Sequence, residues 1–244
     1  MLQSLKILLL QARRQDDPAQ FNERKSFADR CGLALENIVP FDLLTHTPTL
    51  AQVQQYDALM VGGSGEFYVS KRNLPGFEKL VDLLGEVTAV SHPTFASCFG
   101  FQLLAYALGG EIIYDPGSME VGTYPVTLTE AGRGDELFGT LPETFNAQLG
   151  RKDRVMHLPE SALHLAGSER APFQALRIDQ KPIWATQFHP ELTKSENLAR
   201  FHRYVDGYVG VMTETEMKET LSGFQESPET ATLMGHFLQV VFGS

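Results

Sequence analysis

Residues 93–108 read Pro93-Thr94-Phe95-Ala96-Ser97-Cys98-Phe99-Gly100-Phe101-Gln102-Leu103-Leu104-Ala105-Tyr106-Ala107-Leu108. A short strand over Pro93–Ser97 runs into a single cysteine, and an apolar helix from about Phe99 to Leu108 leaves it. The stretch lies within Val87–Gly110, where no Asp, Glu, Lys or Arg occurs over 24 residues. That length would suit a membrane span, but Ser91, His92, Pro93, Thr94, Ser97 and Gln102 interrupt it. A buried strand, a tight turn and a buried helix in succession explain the missing charge. Strands buried on both faces belong to parallel sheets covered by helices.

The flanking sequence repeats this alternation. Leu5–Leu10 reads as a buried strand, a helical segment spans about Pro18–Cys31 and closes at Gly32, and further apolar runs end near Phe41 and Val61. Phe77–Leu84 has helical spacing. Strands alternating with helices predict an α/β three-layer sandwich, a mostly parallel sheet with helices on both faces. From Glu111 to Gln187 the pattern changes to short β-like pieces, Tyr124–Thr129, Phe173–Ile178 and Ile183–Phe188, which predict an antiparallel extension of the sheet. Thr213-Glu214-Thr215-Glu216 fits a capping box, and Ser227-Pro228 places a cap before a proline at the first helical position. Leu233, Phe237 and Val240/Val241 then share one helical face. That face predicts a helix docked on the core, with a partner-binding helix as the alternative. The expected organisation is one domain over residues 1–210 and a C-terminal helical extension, 211–244, packed on it.

Charge narrows the function classes. The 244 residues hold 20 Lys+Arg against 30 Asp+Glu, a formal net charge of −10. So acidic a surface argues against nucleic acid or an anionic membrane as partner. With only Cys31 and Cys98 there is no disulfide scaffold, and a reducing, cytoplasmic setting is expected. Met1–Leu10 has neither a basic n-region nor a small-residue cleavage site, so no targeting segment is expected. The seven histidines form no HxH or HExxH and there is no CxxC, so no metal site or other cofactor is expected. His157 and His164 read as loop or strand-end residues, and Cys31 as a core residue of its helix.

Three pieces can carry chemistry. Strand, cysteine and helix around Cys98 have the layout of a nucleophile elbow, whose crowded turn needs small residues two before and two after; here these are Ala96 and Gly100. The helix that starts after Cys98 aims its amides at the sulfur, which favours the reactive thiolate, and leaves the Phe99 N–H able to stabilise an oxyanion. A buried structural cysteine is the alternative for this piece alone. About ninety residues on, Phe188-His189-Pro190-Glu191 ends a strand in a proton-shuttling histidine with a carboxylate two positions later, able to hold its tautomer; a surface turn would read the same way. Gly62-Gly63-Ser64-Gly65 follows a strand and can turn backbone amides toward a substrate oxygen. No Gly-Lys-Ser/Thr follows, so it is not a P-loop, and a plain βα turn remains open.

Taken together, the three pieces resemble the class I, triad-type glutamine amidotransferases, a Cys-His-Glu family with a flavodoxin-like core. The family pattern Gly-x-Cys-x-Gly-x-Gln stands here as Ala96-Ser97-Cys98-Phe99-Gly100-Phe101-Gln102, and the family His-Pro-Glu as His189-Pro190-Glu191. The strand-end glycine loop stands as Gly62–Gly65. Glu120-Val121-Gly122 and Gly150-Arg151-Lys152-Asp153-Arg154-Val155 are similar to further family elements, and the resemblance spans about residues 5–205. Ala96 departs mildly from the usual glycine, and Phe101 stands where many members have histidine. The resemblance implies a γ-glutamyl amide substrate, Cys98 as nucleophile, His189 as acid and base, and Glu191 as its orienter. It further implies an oxyanion hole from Phe99 with Gly63 or Ser64, and substrate contacts from Gln102 and Gly62. The nitrogen's fate stays open among a self-sufficient hydrolase, a glutaminase subunit feeding a separate synthetase, and a silent regulatory subunit.

Overall fold

The computed structural model describes residues 2–243. Its strands are β1 (Ile7–Ala12), β2 (Ile38–Asp42), β3 (Ala58–Ser64), β4 (Thr94–Ser97), β5 (Glu111–Tyr114), β6 (Glu120–Leu128), β7 (Thr144–Arg151), β8 (Asp153–His157), β9 (Ala162–Gly167), β10 (Ala175–Ile178) and β11 (Ile183–Thr186). The helices are α1 (Ala19–Cys31), α2 (Leu50–Val53), α3 (Phe77–Ala89), α4 (Phe99–Ala107), α5 (Glu130–Gly134), α6 (Lys194–Arg203), α7 (Glu214–Gly223) and α8 (Leu233–Phe242). One nine-stranded sheet runs in the order β2-β1-β3-β4-β11-β10-β9-β6-β7, and β5 and β8 form a separate antiparallel pair.

Every residue of β1 and β4 is buried, because alternate side chains feed two cores. Ile7 and Leu9 of β1, Met60 of β3, Phe95 of β4 and Trp184 of β11 enter one core with Phe27 of α1 and Phe237 of α8. Leu8, Leu10, Leu59, Val61, Ala96 and Ala185 enter the other, with Leu80, Leu84, Leu103 and Leu104 of α3 and α4. The period-two alternation of strands thus sorts one sheet into a three-layer sandwich. β2-β1-β3-β4-β11 is the flavodoxin-like parallel half. Such sheets bind ligands beyond the carboxyl ends of their strands.

β10, β9, β6 and β7 continue the sheet antiparallel, as the sequence predicts. One assignment changes: Ile183–Thr186 pairs parallel with Thr94–Ser97 and antiparallel only with β10. It is therefore the last parallel strand, and it brings the chain after Thr186 beside Cys98. Gly32 caps α1 at φ 64. The Thr213 capping box forms, whereas Ser227 does not cap a helix in the expected way. Its hydroxyl accepts from Gln148 Nε2 at 3.0 Å, and α8 begins only at Leu233 after a 3-10 turn. α8 lies on the core, with the Phe237 ring 5.6 Å from Phe95 and 5.9 Å from Trp184. Among the described residues no helix is long and apolar enough to cross a membrane.

Candidate active site

Cys98 occupies the single residue between β4 and α4 with φ 52° and ψ −102°, a left-handed φ that costs a non-glycine residue free energy. The surroundings hold it there. Its N–H donates to Thr186 O of β11 at 2.7 Å, and its carbonyl accepts from Gln102 N at 3.1 Å. A Cβ at Gly100 would lie 2.6 Å from Val61 O, so α4 can press on β3 only with glycine two residues after the cysteine. Phe99 opens α4, and its N–H belongs to the first turn, which no intrahelical carbonyl receives. Cys31, also free and buried, faces the core from α1, and burial pushes its thiol up to about 12.

His189 follows β11 across a bend. The sequence predicts His189 and Glu191 on one side of an extended chain; instead they form a turn, in which Leu192 N donates to His189 O at 3.2 Å. The turn still delivers the carboxylate, since His189 Nδ1 meets Glu191 Oε1 at 2.7 Å. Nε2 is left unengaged by Glu191, and the Cys98 sulfur acts on the charge of the ring. Burial works against charge on His189, but the Glu191 carboxylate and the Cys98 sulfur raise its pKa to about 9. Burial likewise opposes the Glu191 charge, yet His189 and Arg200 bring that carboxyl down to about 2. At neutral pH the arrangement favours imidazolium against carboxylate.

The glycines at the end of β3 are required by space, not by handedness. Gly62, Gly63 and Gly65 do not have positive φ. A Cβ at Gly63 would sit 2.9 Å from His189 Cε1, and one at Gly65 would enter the Tyr204 ring at 2.6 Å. Gly62, expected to touch substrate, backs onto the Glu23 carboxylate, which an added Cβ would approach to 2.8 Å. Gly62 and Gly63 are absent from the wall of the cavity at Cys98, whereas Ser64, Cys98, Phe99 and Gln102 all line it.

That cavity, about 330 Å³, opens on the carboxyl ends of β3 and β4. Gln102 is fixed at its base by Nε2 donating to Asp153 O and Gln187 Oε1, both at 3.0 Å. Lys152 reaches in from the β7–β8 turn, with Nζ donating to Tyr68 Oη at 3.3 Å and to Gly207 O, and lying 4.5 Å from the Tyr208 ring centre. Burial and the cation of Lys71 hold its pKa below the usual lysine range. Arg151 pairs with the fully buried Glu120 at 2.5 Å, so two segments far apart in the sequence meet in one ion pair. Its Nη1 is buried without a partner. Nothing in the sequence marks Tyr204, Asp206, Gly207 and Tyr208, from the segment after α6, as the roof of the cavity. Nor does it point to Arg13, Glu23 or Arg200, which surround the His189–Glu191 pair. His157, at the end of β8, pairs with Glu111 at 2.7 Å, and His164 of β9 bonds Ala166 O at 3.0 Å. No group of three or more His, Cys, Asp or Glu able to hold a metal occurs among the described residues.

Comparison with known proteins agrees with this fold. Solved structures of glutamine amidotransferases share the fold: one from Thermotoga maritima has TM-score 0.73 at 18% identity, covering 98% of this chain and 99% of that one. Another, from Methylobacillus flagellatus, has TM-score 0.70 at 20% identity, covering 96% and 92%. Among curated proteins, a subunit of the glutamine-hydrolysing GMP synthase of Methanocaldococcus jannaschii is 34% identical over 122 residues, half of this chain and 63% of that protein. The corresponding GMP synthase subunit of Methanococcus aeolicus is 31% identical over 140 residues, 57% of this chain and 72% of its own length. The match thus spans less than two thirds of the Methanocaldococcus jannaschii protein, and only 28% of a Lactococcus lactis GMP synthase that is 29% identical. Residues 31–203 match the family model of class-I glutamine amidotransferases, and the chain belongs to that family.

Proposed function

We propose that the protein hydrolyses a γ-glutamyl amide, glutamine or a γ-glutamyl compound, through a thioester on Cys98. The observation that carries this reading is the buried His189–Glu191 pair, 2.7 Å apart, whose charge the sulfur of the cavity-lining Cys98 supports. Cys98 Sγ, as thiolate, attacks the carboxamide carbon, and the Phe99 N–H with that of Gly63 or Ser64 receives the oxyanion. Imidazolium Nε2 of His189 protonates the departing ammonia or amine as the C–N bond breaks. His189 then takes a proton from water, which attacks the thioester and releases glutamate and the thiolate. Glu191 keeps the proton on Nδ1 and balances the cation.

A cation without an anionic partner supports an acidic substrate in this cavity. Lys152 forms no carboxylate pair among the described residues, whereas Arg151 is already neutralised by Glu120. A carboxylate of the glutamyl group, placed beside Lys152, would compensate it. Gln102 then holds the glutamyl chain near its amide. Residues 204–208 close the site from within the chain, and the Gly62–Gly63 backbone is braced by Glu23 and His189, so the oxyanion loop needs no partner to set it. These features favour a self-sufficient hydrolase. The GMP synthase relatives favour a second reading, a subunit that passes ammonia to a separate synthetase.

Steady-state release of glutamate from glutamine and from γ-glutamyl amides by the purified chain tests both. Turnover by the chain alone is expected. Negligible turnover on every substrate, restored by adding a synthetase partner, establishes the second reading in its place.

A further inference from the structure

The His189–Glu191 pair is the inner end of a longer series of buried charges. Glu191 Oε1, which accepts from His189, also faces Arg200 Nη1 of α6 at 3.4 Å. Arg200 Nη2 lies 3.6 Å from Glu23 Oε1 of α1, and the same oxygen accepts from Arg13 Nη2 at 2.8 Å, just beyond β1. Arg13 Nη1 donates to Tyr204 Oη at 2.7 Å, and Tyr204 donates to Asp17. Gln11 Nε2 occupies the other oxygen of Glu23 at 2.9 Å. Glu23 and Glu191 have no exposed surface, and Arg13 is 3% exposed. From the imidazole outward, the signs alternate: His189, Glu191, Arg200, Glu23, Arg13.

We propose that Glu23 and Arg200 are positioning residues that set the charge on His189 by dividing one guanidinium between two carboxylates. The proposal deepens the hydrolase reading and rests on it. Arg200 stands almost equally far from Glu191 and Glu23, so Glu23 draws off part of the cation that would otherwise neutralise Glu191. With Glu23 in place, Glu191 keeps more of its negative charge for His189. The titratable groups around the pair are Cys98 from the β4–α4 turn, Arg200 from α6, Glu23 and Arg30 from α1, Arg13 after β1, and Tyr204 and Tyr208 after α6, which line a small pocket with His189. Arg30 meets only the Glu191 carbonyl, with Nε at 3.4 Å. Interactions among these groups are weakly screened because the site excludes water.

Opposite signs follow for two variants. Glu23→Gln frees Arg200 for Glu191, so the His189 pKa should fall by roughly half to one unit. Arg200→Gln leaves Glu191 opposed only by His189, so that pKa should rise by a similar amount. The double variant should lie between, and Arg200→Lys, which keeps the cation, should stay near wild type. Both single variants should melt at lower temperature, because each strands a buried charge. That loss has the same sign in both; the titration shift does not.

The experiment is a pH titration of ring nitrogens in the [15N]histidine-labelled full chain, with His189 assigned from His189→Gln. The rate of Cys98 alkylation by iodoacetamide is followed in parallel. Shifts of opposite sign in Glu23→Gln and Arg200→Gln support the proposal. Shifts of the same sign, or none, overturn it; if Arg200→Gln does not fold, a fall in Glu23→Gln with none in Arg200→Lys supports it, and any other pattern overturns it. If His189→Gln leaves Cys98 alkylation unchanged, the hydrolase reading itself fails, whatever the titrations give.

Discussion

Gly63→Ala is the smallest change that reaches the chemistry. The added methyl would stand 2.9 Å from His189 Cε1, against the 3.4 Å at which ordinary contact begins, so the ring must retreat by about 0.5 Å. It has little room: His189 is 5% exposed, and its Nδ1 is tied to a carboxylate with no exposed surface. Any retreat therefore lengthens either the bond to Glu191 or the reach to Cys98. Displacements of about 1 Å in a reacting constellation can cost on the order of a hundredfold. Half of that distance is expected to cost roughly tenfold in kcat/KM, about 1.4 kcal/mol of transition-state stabilisation. Stability should move little, since the neighbour that must yield is one side chain. Gly85→Ala is the control: α3 leaves nothing within 4 Å of the new methyl, and a helical Gly→Ala should be stabilising by up to about 1 kcal/mol. Glutamate release and thermal melts on both variants measure the two effects separately. Wild-type kcat/KM in Gly63→Ala would refute the claim that the β3 backbone positions the imidazole.

Cys98→Ser should abolish turnover, by at least about a thousandfold, while Cys31→Ser should keep the rate; a glutamine analogue with an electrophilic carbon should label Cys98 alone by mass spectrometry. Glu191→Gln should retain roughly ten- to a hundredfold more activity than His189→Ala, because an orienter is partly replaceable and the proton carrier serves both half-reactions; equal losses would give Glu191 another role. Lys152→Met should raise KM for a γ-glutamyl substrate by about tenfold or more with little change in kcat, if Lys152 binds a carboxylate held alike in ground and transition states. The ion pair also predicts a stability profile. Glu191, lowered from 4.5 to about 2, contributes fully above pH 4.5 and loses that contribution as pH falls toward 2. His189, raised from 6.5 to about 9, contributes fully below pH 6.5 and loses it as pH rises through 9. Urea unfolding at pH 6.5 and 9.5 should differ by roughly 1–3 kcal/mol from this site, and His189→Gln should remove that part of the difference.

What the sequence disclosed follows the range of the interactions involved. The elbow at Cys98 is local: strand, turn and helix are adjacent in the chain, and Ala96 and Gly100 are required by contacts within a few residues and against β3. The alternating apolar runs likewise disclosed the sandwich, because the central strands β1, β3, β4 and β11 bury both faces. The β11 direction was not legible, since a four-residue apolar strand carries no mark of its neighbour's orientation. The His189–Glu191 geometry is reached by a turn in place of an extended strand, which a proline between the two already encourages. Glu23 was illegible for a different reason. It sits in the polar α1 sequence Gln20-Phe21-Asn22-Glu23-Arg24-Lys25, where charge normally means a solvated face, and only the fold reveals it as fully buried. Tyr204 and Tyr208 carried no signal because their target, the cavity, is assembled from β3, α4 and the β7–β8 turn.

Two of the charges around the ion pair, Arg13 and Glu23, lie outside the segment that matches the family model. The matched segment, residues 31–203, includes Cys98, His189, Glu191 and Arg200. Arg13 and Glu23, which share their charge with that set, precede it; Tyr204 and Tyr208, which close the cavity, follow it. Burying Arg13, Glu23 and Arg200 together is a poor route to stability, since the loss of hydration cancels most of what the pairing contributes. An apolar cluster of similar volume would hold β1, α1 and α6 together at least as well. The charges make physical sense in relation to the ion pair next to them: an imidazolium and, on the proposed mechanism, an attacking thiolate need a fixed electrostatic frame. On the proposed mechanism the chemistry resides in the shared segment, and the two flanks set the conditions under which it runs and which molecule fits beside Cys98.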